Sequence, residues 1–168
     1  MIFIGGCSST SILDPDRNKL PTKVEGASDA YIEKLEERLV YKGVKVIILG
    51  QDYLISVPSY LVFANESPKI NWGSYLLLND IVEYLRQFRK IDVHINGYGC
   101  CFKSERRTLA LTLARTRAVA DYLWSQDIET RLVFTQGLGS DKPIVAYSKC
   151  SDASPNSRIE IIFRRTIV

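Results

Sequence analysis

Ile91-Asp92-Val93-His94-Ile95-Asn96 followed by Gly97-Tyr98-Gly99-Cys100-Cys101 decides how the rest of the chain is read. Ile91, Val93 and Ile95 alternate with Asp92, His94 and Asn96, the two-residue period of a strand with one buried face. The glycine-rich turn stops that strand. Beyond it, Leu111, Ala118, Val119 and Tyr122 recur three, four or seven residues apart, which predicts a helix with a single core-facing stripe up to about Leu123. Arg115 lies on the same stripe, four residues after Leu111 and three before Ala118. A guanidinium there either snorkels to the rim or points into the gap between helix and turn, where an anion or a set of carbonyls must meet it.

N-terminal to this unit, Ser28 reads as the N-cap of a short amphipathic helix carrying Tyr31, Ile32, Leu35 and Leu39, which Gly43 ends. The β-branched runs Val44–Leu49 and Asp52–Val57, joined by a turn containing Gly50, predict a hairpin that Pro58 closes. Tyr60–Ala64 reads as a short apolar turn beneath the next helix. That helix is expected over about Gly73–Arg89, with Leu78, Ile81, Leu85 and Phe88 buried. Arg131–Gln136 is a further strand stopped by Gly137-Leu138-Gly139, and Arg158–Arg165 is the last, with Ile159, Ile161 and Phe163 facing one way. Antiparallel strands at the start and two long helices between later strands give an α+β domain. The architecture expected is a mixed sheet with two main helices on one face, preceded by a short helix and a hairpin.

At 168 residues and 46% hydrophobic, the chain has one domain's worth of core. Its net charge of +3, with 22 basic and 19 acidic side chains well mixed, leaves no electrostatic footprint for a nucleic acid. Catalytic constellations are lacking. His94, the one histidine, sits on the polar face of a strand without serine and aspartate companions, and Glu33, Glu36 and Glu37 fall on the solvent side of the first helix. Gly97-Tyr98-Gly99 lacks the third glycine of a dinucleotide fingerprint. No metal site and no cofactor is expected, and the reading is that the chain is not an enzyme.

Residues 1–7 end in Ile4-Gly5-Gly6-Cys7, the form of a bacterial lipobox, with Cys7 as the lipidated residue, and only Met1 to Phe3 precede it. Residues 8–27 are rich in serine, proline, aspartate and lysine and read as a tether, ahead of the helix at 28–43 and a domain at 44–168. Cys100 and Cys101 in one loop and Cys150 in another predict one disulfide between the loops with a thiol left over, which an oxidising periplasm permits.

Six short stretches in order then resemble the OmpA-like peptidoglycan-associated domain. They are Leu61–Ala64, Val93–Gly97, Leu111–Arg115, Ala118–Leu123, Gly137–Gly139 and Asn156–Ile161, spread over Val44–Phe163. The resemblance implies that an aspartate from a Gly-His-Thr-Asp turn meets the ammonium of the wall peptide's diaminopimelate, while a helix arginine meets a carboxylate bidentately. The arginine falls on Arg115. The turn departs, with Tyr98-Gly99-Cys100 where the family has His-Thr-Asp. On this reading the cationic half of the clamp survives without its anionic half, which weakens wall binding by about tenfold to a hundredfold or more. An acid reaching round from elsewhere to replace the lost one would overturn that account. The remaining carried-over binding residues are Tyr98, Thr108, Asn156 and Arg158, the last two keeping part of an Asn-Arg-Arg signature.

A lipobox, a tether, a helix and an OmpA-like domain with an eroded turn together resemble accessory lipoproteins of type IVB (Dot/Icm) secretion machines. That resemblance implies a structural lipoprotein held to the outer membrane by its lipid. Its domain would lie in the periplasm, with other core-complex subunits as partners. The alternative is a working peptidoglycan binder that anchors an envelope complex through Arg115.

Overall fold

Ser28 starts the first helix as a cap, its side chain accepting from Tyr31 N at 3.3 Å, and α1 runs over Asp29–Tyr41. Ile32, Leu35 and Leu39, three and four residues apart, form its buried stripe, and the last two are fully enclosed. Each such leucine contributes about 1.5–3 kcal/mol by leaving water. The computed structural model describes residue 24 and residues 26–100, 104–128, 130–146 and 149–166. The lipobox with Cys7, nearly all of the expected tether, and Cys101 lie outside the described residues.

After α1 the chain forms the hairpin β1 (Lys45–Leu49) and β2 (Asp52–Pro58), paired antiparallel with Ile47 opposite Leu54. Ser59–Leu61 makes a single 3-10 turn, and a second over Trp72–Ser74 leads into α2 (Tyr75–Arg86). β3 (Asp92–Tyr98), α3 (Glu105–Ser125) and β4 (Leu132–Gly139) form a parallel crossover unit, and β5 (Arg158–Arg164) closes the sheet. The strand order is β1-β2-β5-β3-β4, with β5 antiparallel to both neighbours, so the sheet is mixed. α2 and α3 cover one face. Tyr53, Ile55, Val57, Val93, Ile95, Ile159, Ile161 and Phe163 meet Leu78, Ile81, Leu85, Phe88, Val119 and Leu123 there in one core. At the far end of α2 the buried Lys90 ammonium donates to Leu85 O and Phe88 O at 2.7 and 3.2 Å, so its charge meets the negative end of that helix.

Several boundaries differ from the sequence reading, each for a physical reason. β3 runs through Gly97 to Tyr98, and β4 through Gly137-Leu138-Gly139, because those glycines serve close packing rather than a chain reversal. A Cβ on Gly97 would sit 2.7 Å from Thr112 O, and one on Gly137 would sit 2.4 Å from Leu113 N. The backbone of α3 thus lies directly against the sheet. α2 begins at Tyr75, two residues later than expected, since a 3-10 turn takes up Trp72–Ser74. Ile91 lies outside β3 and is 44% exposed. The buried stripe of α3 is Thr108, Thr112, Arg115, Thr116, Val119 and Leu123, while Leu111, Ala118 and Tyr122 are only partly covered. Where the helix touches glycines, threonine fits better than leucine.

Candidate functional site

The close seating of α3 places everything at the upper end of the sheet. Ser104 caps the helix by accepting from Arg107 N, and Thr108 on the first turn donates to Ser104 O at 3.0 Å. One turn on, the Thr112 hydroxyl donates to Leu109 O and accepts from Gly139 N, fastening the end of β4 to the helix. Gly99 N donates to Gly139 O at 2.7 Å and joins the turn after β3 to the same strand end. Arg115 comes about one turn after Thr112, pointing inward, and is 1% exposed.

Its guanidinium makes four hydrogen bonds with described residues. Nε donates to Ser67 O at 2.9 Å, Nη1 donates to Asp152 Oδ1 at 2.6 Å, and Nη2 donates to Asp152 Oδ2 at 2.8 Å and to Ala64 O at 3.4 Å. The Phe63 ring lies beneath it, 5.0 Å from centroid to Cζ. Two carbonyls of the loop between the 3-10 turns, one aromatic face and one bidentate carboxylate surround the charge. Asp152 is 4% exposed and also accepts from Glu66 N at 2.7 Å. Burial pushes its carboxyl up. The hydrogen bonds from Arg115 and Glu66 N, with the arginine's charge, outweigh that and hold it below the usual carboxylate range.

This corrects the half-empty clamp expected from sequence: an acid does reach round to Arg115, from the loop before β5 instead of the turn after β3. The position that carries aspartate in the resembled family is Cys100, which is bonded to Cys150 with their Cα atoms 5.3 Å apart. That bond draws the loop carrying Asp152, two residues further on, up to the turn. Serines shape the loop. Ser154 N donates to Ser151 O, Ser157 N to Ser154 O, and the Ser157 hydroxyl to Ser151 O at 2.9 Å.

The other sequence-selected residues gather around a second arginine. Arg158 stacks over the Tyr98 ring at 3.9 Å, its partner in the β3–β5 register. Its Nε donates to Glu160 at 2.7 Å and Nη2 to Lys142 O at 3.2 Å. Burial and the nearby Glu160 charge push the Tyr98 hydroxyl up, against the pull of Arg158. Asn156 accepts from Ile144 N and Val145 N and donates to Val145 O, so it braces the loop before it. Tyr98, Thr108, Asn156 and Arg158 are all buried, and the structure uses them internally. Asp152 is the residue sequence reasoning missed. His94 is exposed on the open sheet face, beside Asp92 and stacked on Phe134. Among the described residues no three histidine, cysteine or acidic side chains are grouped to hold a metal ion, and no helix is long and apolar enough to cross a membrane.

Residues 62–157, more than half of the chain, match the OmpA family. The chain belongs to the OmpA family. The OmpA-like match spans β3, α3, β4 and the Arg115–Asp152 centre, and ends one residue before Arg158. The OmpA-like chain is 26% identical over 133 residues to the probable lipoprotein YiaD of Escherichia coli, a match covering 79% of this chain and 61% of YiaD. It is 30% identical over 102 residues to the peptidoglycan-binding protein ArfA of Mycobacterium tuberculosis, covering 61% of this chain and 31% of ArfA. The chain therefore accounts for only part of either relative's length. In fold, it superposes on the cell wall anchor of the type VI secretion system of Pseudomonas aeruginosa with a TM-score of 0.69. That superposition covers 80% of this chain and 97% of the anchor, at 20% identity.

Proposed function

We propose that the protein is a structural component of the bacterial envelope, an OmpA-like domain whose wall-peptide site is closed by its own Asp152. The observation that carries this is the state of Arg115. The arginine that the family resemblance assigns to a ligand carboxylate already holds a carboxylate of the same chain in bidentate geometry, out of contact with water. A ligand would have to displace that group and leave Asp152 buried without its partner. Removing one member of a buried pair costs about 3–5 kcal/mol, equivalent to roughly two to three and a half powers of ten in affinity.

The finer reading is an outer-membrane lipoprotein, lipidated at Cys7, that contributes its domain surface to a type IVB (Dot/Icm-like) secretion core complex. Supporting it are the lipobox and tether pattern of the sequence and the likeness to a probable lipoprotein. The Arg115–Asp152 closure also fits a role that does not depend on wall binding. The other reading, a working peptidoglycan anchor, draws on the 30% identity to ArfA, which is described as peptidoglycan-binding. Co-sedimentation with purified sacculi separates them. The expected result is that the oxidised wild-type protein stays in the supernatant. Retention that soluble diaminopimelate-containing muropeptide competes away would overturn the closed-site reading in favour of the anchor.

A further inference from the structure

β4 is an edge strand of an unusual kind. It is eight residues long, Leu132–Gly139, and contains neither a charge nor a proline. Edges left open to water are normally blunted by those devices, because a bare edge templates pairing with another chain. The opposite edge differs, since β1 has only five residues and begins with Lys45. Leu132 N donates to Ile91 O, which fixes the phase of the parallel ladder. Residues 132, 134 and 136 therefore direct their backbone groups at β3, while Val133, Thr135 and Gly137 present N–H and C=O outward.

A groove of about 380 Å³ runs beside this edge, between α3 and β4, with Val133 and Thr135 along one wall and Ala120 and Trp124 along the other. Trp124 is 60% exposed and Leu132 50%. Arg117 from the helix and Arg131 at the head of the strand flank the groove. Neither makes an ion pair with a described residue. Asp121 is the one acid in the lining. Tryptophan and arginine are the residue types that most often dominate binding surfaces, and backbone with no strand partner among the described residues supplies the rest of what a strand needs to dock.

We infer that β4 and this groove form a docking surface for an extended, acidic segment of a partner protein. The segment would add as a sixth strand, setting alternate side chains against Trp124 and Ala120 and its carboxylates against Arg117 and Arg131. Charge selects this occupant over a second copy of the chain, because β4 carries no carboxylate to offer those arginines. The surface is separate from Arg115 and holds whether or not the wall-peptide site is closed.

The test uses the full chain and a capped synthetic peptide, Glu-Val-Thr-Val-Thr-Val-Thr-Glu, followed by amide hydrogen exchange. The expected result is saturable protection of the Val133 and Thr135 amides. Replacing both peptide glutamates by glutamine should weaken binding by roughly threefold to tenfold, as for pairs at a wet rim. The Arg117→Ala/Arg131→Ala variant, at exposed positions outside the core, should erase that difference while still binding. Three results would overturn the inference: no protection of those amides at saturating peptide, equal binding of the glutamine peptide, or protection that grows with protein concentration alone and so marks a second copy.

Discussion

Replacing Asp152 by alanine isolates the most consequential contact in the structure. The substitution leaves Arg115, 1% exposed, with two backbone carbonyls and the Phe63 face but no counter-charge. For a buried pair broken on one side the loss is about 3–5 kcal/mol. At about 2–4 °C per kcal/mol for a chain of this size, the melting temperature should fall by roughly 6–20 °C. Removing both partners together, as Arg115→Met with Asp152→Leu, should return most of that stability, since a well-packed apolar pair is often neutral or better. Urea unfolding of wild type, both single variants and the double variant, with Cys100–Cys150 kept oxidised, supplies the cycle. A loss below about 1 kcal/mol for Asp152→Ala, the range of an exposed ion pair, would refute the sealed site and the function inferred from it.

The same geometry sets a pH dependence and a packing cost. Because the folded Asp152 carboxyl titrates below its unfolded value of about 3.9, the pair's contribution is fully present above that pH and is lost as pH falls through the lowered folded value. Urea midpoints between neutrality and strong acid should therefore drop more steeply below about pH 4 in wild type than in Asp152→Asn. Gly137→Ala should cost about 1–3 kcal/mol or more, since the added carbon would lie 2.4 Å from Leu113 N and 2.7 Å from Leu113 Cα, backbone that cannot step aside. Gly73→Ala, with nothing within 4 Å, is the control and should stay within about 0.5 kcal/mol in the same assay.

The sheet and helices were legible because their periods were unmixed, with alternation at Val93 and Ile95 and three-and-four spacing at Ile32, Leu35 and Leu39. Spacing placed Arg115 on the core-facing stripe but left open whether its guanidinium turned inward or snorkelled to the rim. The polar stripe of α3 was harder to see. Thr112 and Thr116 donate their hydroxyls to Leu109 O and Leu113 O within the helix, so they bury with their donors satisfied and mimic solvent-facing residues in a hydropathy pattern. Asp152 stood 37 residues beyond Arg115 in a serine-rich loop with no period at all. The signal that could have found it was the cysteine pair: once Cys150 is placed against Cys100, the acid two residues later has little choice but to arrive near the helix.

That cysteine pair also dates the event. A bond between Cys100 and Cys150 survives in an oxidising compartment and is kept open in a reducing cytosol. In the cytosol the serine loop is fastened by hydrogen bonds and the ion pair alone, so the chain's hold on its own arginine is completed by covalent chemistry outside the cell's reducing interior. In the envelope role proposed above, sealing the pocket is part of maturation, timed by arrival in an oxidising compartment instead of by translation.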